Sequence, residues 1–139
     1  MKNFYSVTPI VSKDSFDFTF GILLNREHRI YAGHFPQQPV VPGVCMILMI
    51  RELAEKALSS NLMFSDISNI KFLSLVNPSI NNELMVKLAL GSTEKGFYSV
   101  KASIEFADRV FLSLRGTLSP IKTSSDADFS INDKFDPKD

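Results

Sequence analysis

The sequence has no tryptophan, a single cysteine, and equal numbers of acidic and basic residues, 15 of each. One cysteine, Cys45, excludes an intrachain disulfide and any metal cluster built on cysteines, and it suits a reducing compartment. A balanced charge without a basic run offers no electrostatic footprint for nucleic acid or for an anionic membrane. Long hydrophobic stretches are also missing. The N-terminal segment lacks the apolar core of a signal peptide, and the longest apolar run, Val44 to Ile50, is far too short to span a bilayer. These absences lead us to expect a cytoplasmic protein that engages neither nucleic acid nor membrane. No group of His, Asp and Glu has metal-ligand spacing, so no metal is expected.

What is present is a core. Apolar residues make up 45% of the 139, enough for one folded domain, and phenylalanine is common at 12. Phe16, Phe18 and Phe20 alternate with Asp17 and Thr19, which is strand periodicity, and the strand can run on through Ile22 and Leu24. A polar turn follows over residues 25–28, with His28 read as a surface residue, and residues 29–32 read as a short return strand. Prolines 36, 39 and 42 forbid a helix over residues 34–41 and make that segment a stiff loop. A helix then starts at Pro42 and Gly43 and runs to Leu58, where Ser59, Ser60 and Asn61 end it. Its first two turns are apolar on every side, which predicts burial, and its second half is amphipathic.

Beyond the helix, residues 67–76, 83–90, 97–107 and 110–118 read as strands separated by turns. Pro120 stops the last one. The polar residues 121–139 read as a flexible tail behind a single domain over residues 1–120. Strands, one long buried helix, then three or four antiparallel strands describe an α+β hot-dog fold, in which a curved antiparallel sheet wraps the helix. Sharing a sheet edge between two protomers would remove an exposed edge, so a dimer or higher oligomer is expected.

One constellation carries chemistry. His34 precedes the helix start by nine residues across the proline-stiffened loop. A helix start presents unpaired N–H groups and the positive end of the dipole, and Gly43 has no side chain to keep a ligand atom from its N–H. A thioester carbonyl held there would be polarised, and a neutral imidazole alongside could move a proton. The segment YAGHFPQQPVVPGV, residues 31–44, closely resembles the signature of the bacterial 3-hydroxyacyl-ACP dehydratases of the FabA/FabZ type. The histidine, phenylalanine, three prolines and glycine fall in register. IKFLSLVNPSINNE, residues 70–83, continues the resemblance more weakly, and the family's usual N-terminal helix is not evident.

The resemblance implies a dehydratase of fatty acid or related acyl-chain biosynthesis. His34 would be the catalytic histidine and Gly43 the N–H donor to the thioester carbonyl. Phe35, Pro36, Pro39, Val44 and Leu48 would shape the substrate site. No cofactor is implied, because the substrate rides on the phosphopantetheine of an acyl carrier protein or coenzyme A. The family's carboxylate lies fourteen positions after the histidine, and here that position is Leu48. Glu52, one turn on, is the candidate secondary acid, although its spacing to Lys56 marks it as half of a solvated surface pair. Losing a general acid costs ~10²–10⁴-fold. Four readings therefore stay open: a slow homodimeric dehydratase, one half of a heteromeric dehydratase, a non-catalytic acyl-thioester binding module, or a hot-dog thioesterase. Cys45 reads as a small core residue.

Overall fold

In the computed structural model, residues 2–8, 11–14, 16–33 and 39–121 are described. Seven strands form one antiparallel sheet: β1 (Tyr5–Val7), β2 (Val11–Asp14), β3 (Asp17–Leu24), β4 (Leu62–Phe72), β5 (Glu83–Ser92), β6 (Tyr98–Phe106) and β7 (Arg109–Pro120). Their order is β1-β3-β5-β6-β7-β4, with β2 also paired to β3. The single α-helix among the described residues, α1 (Gly43–Leu58), lies against this sheet. Among the described residues no helix is long and apolar enough to cross a membrane.

Period-two alternation builds the core wall. Leu84, Val86, Leu88 and Leu90 of β5 are buried while Met85, Lys87 and Ala89 are exposed. Val100, Ala102 and Ile104 of β6 and Leu112 and Leu114 of β7 continue that inner face. Cys45, Met46, Met49, Ile50, Leu53 and Ala54 of α1 pack onto it. Burying side chains of this size stabilises by about 1.5–3 kcal/mol each, so the helix–sheet contact dominates the fold.

The far end of α1 is clasped to β4. Arg51 Nη1 and Glu55 Oε2 lie 3.2 Å apart, Glu55 accepts the Leu62 N–H at 2.8 Å, and Arg51 donates to the Leu62 carbonyl at 3.3 Å. Both backbone groups of the first β4 residue are thereby satisfied. Ser59 closes the helix in the left-handed region, φ 51°.

Several expectations need correction. Residues Arg29–Gly33 form a 3-10 turn, not a strand. His28 is buried, at 8% exposure, rather than on the surface. Its Nδ1 accepts the Ile30 N–H at 3.1 Å, so the ring is neutral with the proton on Nε2, which donates to the Lys2 carbonyl at 3.2 Å. Phe4 meets the ring edge-on at 5.4 Å. β4 begins at Leu62 and ends at Phe72, where residues 67–76 were expected. The start of α1 is not buried all round: Val44 is 62% exposed, and Ile47 and Leu48 are half-buried, because the sheet covers one side of the helix. β1 and β2 were not foreseen. Of residues 121–139, read as a tail, Ile121 donates its N–H to the Asn61 carbonyl at 2.9 Å, and residues 122–139 lie outside the described residues.

Candidate functional site

The start of α1 is built to leave its N–H groups open. Pro42 occupies the N-cap in an extended conformation, φ −61° and ψ 143°, and supplies no side-chain cap. Its carbonyl accepts the N–H groups of Cys45 at 3.0 Å and Met46 at 3.3 Å. The N–H groups of Gly43 and Val44 precede the first possible intrahelical acceptor, so they face outward at the positive end of the dipole.

A cavity of about 380 Å3 opens here, lined by residues 40–43, Met46 and residues 72–75. Backbone bonds hold its walls in place. The Val41 N–H donates to the Val76 carbonyl at 2.9 Å, and the Leu73 N–H donates to the Phe111 carbonyl at 2.8 Å. Ser74 is the one hydroxyl on the lining, and its Oγ accepts Arg109 Nη2 at 2.6 Å. The remaining side chains are apolar, a surface for a hydrocarbon chain rather than for charge. A methyl group added at Gly43 would stand 2.8 Å from Cε1 and 2.9 Å from Cζ of Phe72. Glycine is therefore what allows that ring to lie against the helix start.

Of the residues expected from the sequence, Gly43 lines this cavity. Pro39 is half-buried next to the lining residue Val40. Val44 is exposed and Leu48 half-buried, one turn apart on α1. His34, Phe35 and Pro36 lie outside the described residues. Glu52 extends the Val44–Leu48 row but is not the solvated partner of Lys56 that its spacing suggested. It is half-buried and accepts the Tyr5 hydroxyl at 2.8 Å, while Lys56 is exposed. Burial and then this bond to the carboxylate hold the Tyr5 phenol well above its usual range. Tyr31, three residues before His34, is buried at 5% exposure with its hydroxyl unpartnered, and burial and the neighbouring Cys45 raise its phenol likewise.

Sequence reasoning missed Phe72, Leu73 and Leu75, which frame the cavity and are 54%, 56% and 73% exposed. The available signal was a run of large apolar residues in a segment with no inward-facing alternation. They border the cavity that Gly43 lines, the exposed Val44 follows Gly43 in the chain, and Phe72 is the last residue of β4. Among the described residues that strand pairs only with β7, which leaves its other edge without a strand partner there. It carries register shifts at Phe64/Asp66 and Ile67/Asn69, as edge strands often do. Among the described residues no three His, Cys, Asp or Glu side chains could hold a metal.

A family model described as ApeI-like, ApeI dehydratase, matches residues 11–114. No curated protein matches the sequence. Among solved structures, the dehydratase heterocomplex ApeI:P from Xenorhabdus doucetiae matches with a TM-score of 0.67 at 22% identity, covering 83% of this chain and 97% of that one. An uncharacterized protein from Erwinia carotovora subsp. atroseptica matches with a TM-score of 0.56 at 24% identity, covering 84% and 94%. A mutant thioesterase from Pseudomonas aeruginosa matches with a TM-score of 0.56 at 11% identity, covering 83% and 82%. The shared architecture is the hot-dog fold.

Proposed function

The chain belongs to the ApeI-like dehydratase family, and from that premise we propose that it helps dehydrate a 3-hydroxyacyl thioester as one half of a two-subunit site. The observation that carries this reading is the apolar cavity opening onto the uncapped start of α1 at Gly43.

In the proposed reaction the thioester carbonyl oxygen receives the Gly43 N–H, and the helix dipole stabilises the negative charge that grows there. His34 takes the α-proton, which leaves an enolate and an imidazolium. Collapse of the enolate expels the β-hydroxyl, which must acquire a proton to depart as water. Leu48 cannot supply that proton. We assign it to a carboxylate on a second subunit, docked over the exposed Val44, Phe72, Leu73 and Leu75 and along the edge of β4 that has no strand partner among the described residues. The relative from Xenorhabdus doucetiae is itself described as a heterocomplex. The acyl chain would arrive on a phosphopantetheine arm, from an acyl carrier protein or coenzyme A, and lie in the cavity.

The test is turnover of a short 3-hydroxyacyl carrier-protein thioester by the purified chain, alone and mixed with an acid-bearing dehydratase subunit. The chain should be near silent alone and active in the mixture, and His34→Ala should abolish the mixed activity. Mixed activity that survives His34→Ala would remove this chain from the chemistry. Thioester binding with no turnover in either sample would make it a binding module.

A further inference from the structure

A larger concavity, about 660 Å3, lies on the opposite face of the sheet from α1. Four strands each send one cation to its lining: Lys71 from β4, Lys87 from β5, Lys101 from β6 and Arg115 from β7. Register arranges them in two adjacent rows. In one, Lys87 faces Ser103, Ser103 faces Ser113, and Ser113 faces Lys71. In the next, Lys101 sits directly opposite Arg115, which also faces Asn69.

Like charges directly opposite each other on one sheet face destabilise it. Here the pair is not neutralised. Lys87 has a counterion, Glu105 Oε1 at 3.1 Å. Lys71, Lys101 and Arg115 make no ion pair among the described residues. Asp17 is the one acid on the lining, and Ala89 separates it from Lys101, so it stands about 10 Å away at ordinary strand spacing. The result is a hollow with three adjacent cations that lack a counterion among the described residues, interleaved with Ser113 and Asn69 as neutral hydrogen-bonding groups.

We propose that this outer face binds a soluble anion carrying two linked phosphate groups. Arg115 would grip one phosphate with its planar fork while Lys101 and Lys71 neutralise the remaining charge. The Ser113 hydroxyl and the Asn69 amide would hydrogen-bond the other phosphoryl oxygens, since Ser103 already donates to Glu105 Oε2 at 2.8 Å. A concave floor of short polar side chains between long cations fits a compact polyanion. A second copy of the chain stacked on this face would instead set cation against cation. The inference is independent of the dehydratase reading, because it uses no residue of the α1 site.

Calorimetric titration of the full chain with sodium pyrophosphate tests it. Saturable binding is expected, weakened by added salt as exposed charge pairs are. Lys101→Gln and Arg115→Gln should each weaken it about tenfold or more, from the loss of one charge-assisted bond. Lys56→Gln, an exposed helix lysine elsewhere, should leave it unchanged. Both lining variants should match or exceed the wild-type melting temperature, since each removes half of a like-charge pair. No saturable heat, or binding undiminished in both lining variants, would overturn the proposal. So would sedimentation with phosphatidylglycerol vesicles in the absence of pyrophosphate binding, which would assign the face to a membrane.

Discussion

Replacing Gly43 with alanine separates the packing role of this position from its proposed chemical role. The added methyl would lie 2.8–2.9 Å from two carbons of the Phe72 ring, well inside van der Waals contact. Phe72 is about half exposed, so its ring can swing outward, at a rotamer cost of about 0.5–1.5 kcal/mol. Alanine in place of a helical glycine returns about 0.5–1 kcal/mol. The two effects nearly cancel, so the melting temperature of Gly43→Ala should move by only a few degrees. Function should respond much more. The methyl and the displaced ring both crowd the approach to the Gly43 N–H. A ground-state hydrogen bond is worth about 0.5–1.5 kcal/mol, so affinity for a 3-hydroxyacyl thioester analogue should fall roughly 2–10-fold. An N–H that meets a developing oxyanion is worth ~10²–10³ in rate, so turnover by the active assembly should fall further than affinity. Thermal melting, calorimetry and steady-state kinetics on one preparation read all three. Unchanged kcat and affinity would show that no substrate oxygen reaches this N–H. A collapse in melting temperature would show that the glycine serves packing alone.

Two further predictions concern stability. Tyr5 and Tyr31 both have phenols raised above the usual value near 10. The unfolded chain therefore loses these protons before the folded one, and stability should be full below about pH 10 and fall as pH rises above it. Tyr5→Phe and Tyr31→Phe should each flatten that fall in alkaline denaturation curves, and unaltered slopes in both would contradict the burial argument. Gly116→Ala would set a methyl 2.5 Å from the backbone carbonyl oxygen of Asp66, across the β4–β7 pairing. Backbone cannot swing aside as Phe72 can, so a loss of about 1–3 kcal/mol is expected in urea unfolding, and a neutral result would mean that β4 adjusts freely.

How legible the molecule is in its sequence depends on how local each signal is. α1 was readable because the run from Val44 to Ile50 is apolar and Ser59-Ser60-Asn61 breaks it. β5 was readable because its inward residues alternate without interruption. β4 was read five residues late because its register shifts break the alternation where Ser65 and Asp66 stand. RIYA, residues 29–32, looks like a strand, but His28 caps the segment through its own carbonyl and Nδ1 and closes a 3-10 turn. Glu52 was misjudged because its partner, Tyr5, is 47 residues away and lies in a strand of three. Gly43 was singled out by its motif, and it lines the cavity at the helix start. The apolar rim of Phe72, Leu73 and Leu75 was not, since only the fold brings it to Gly43.

The central claim is that this chain brings a base and an N–H donor but no acid of its own, and Leu48→Glu tests it most directly. Leu48 is half-buried, outside the hydrophobic core cluster and one turn from the exposed Val44. A carboxylate can be placed there without entering the core. Turnover of a short 3-hydroxyacyl carrier-protein thioester by the isolated wild type and by Leu48→Glu should differ by ~10²–10⁴-fold in favour of the variant, the range a positioned general acid contributes. Robust turnover by the wild type alone, unimproved by the substitution and abolished by His34→Ala, would contradict the account and show that this site needs no carboxylate at Leu48.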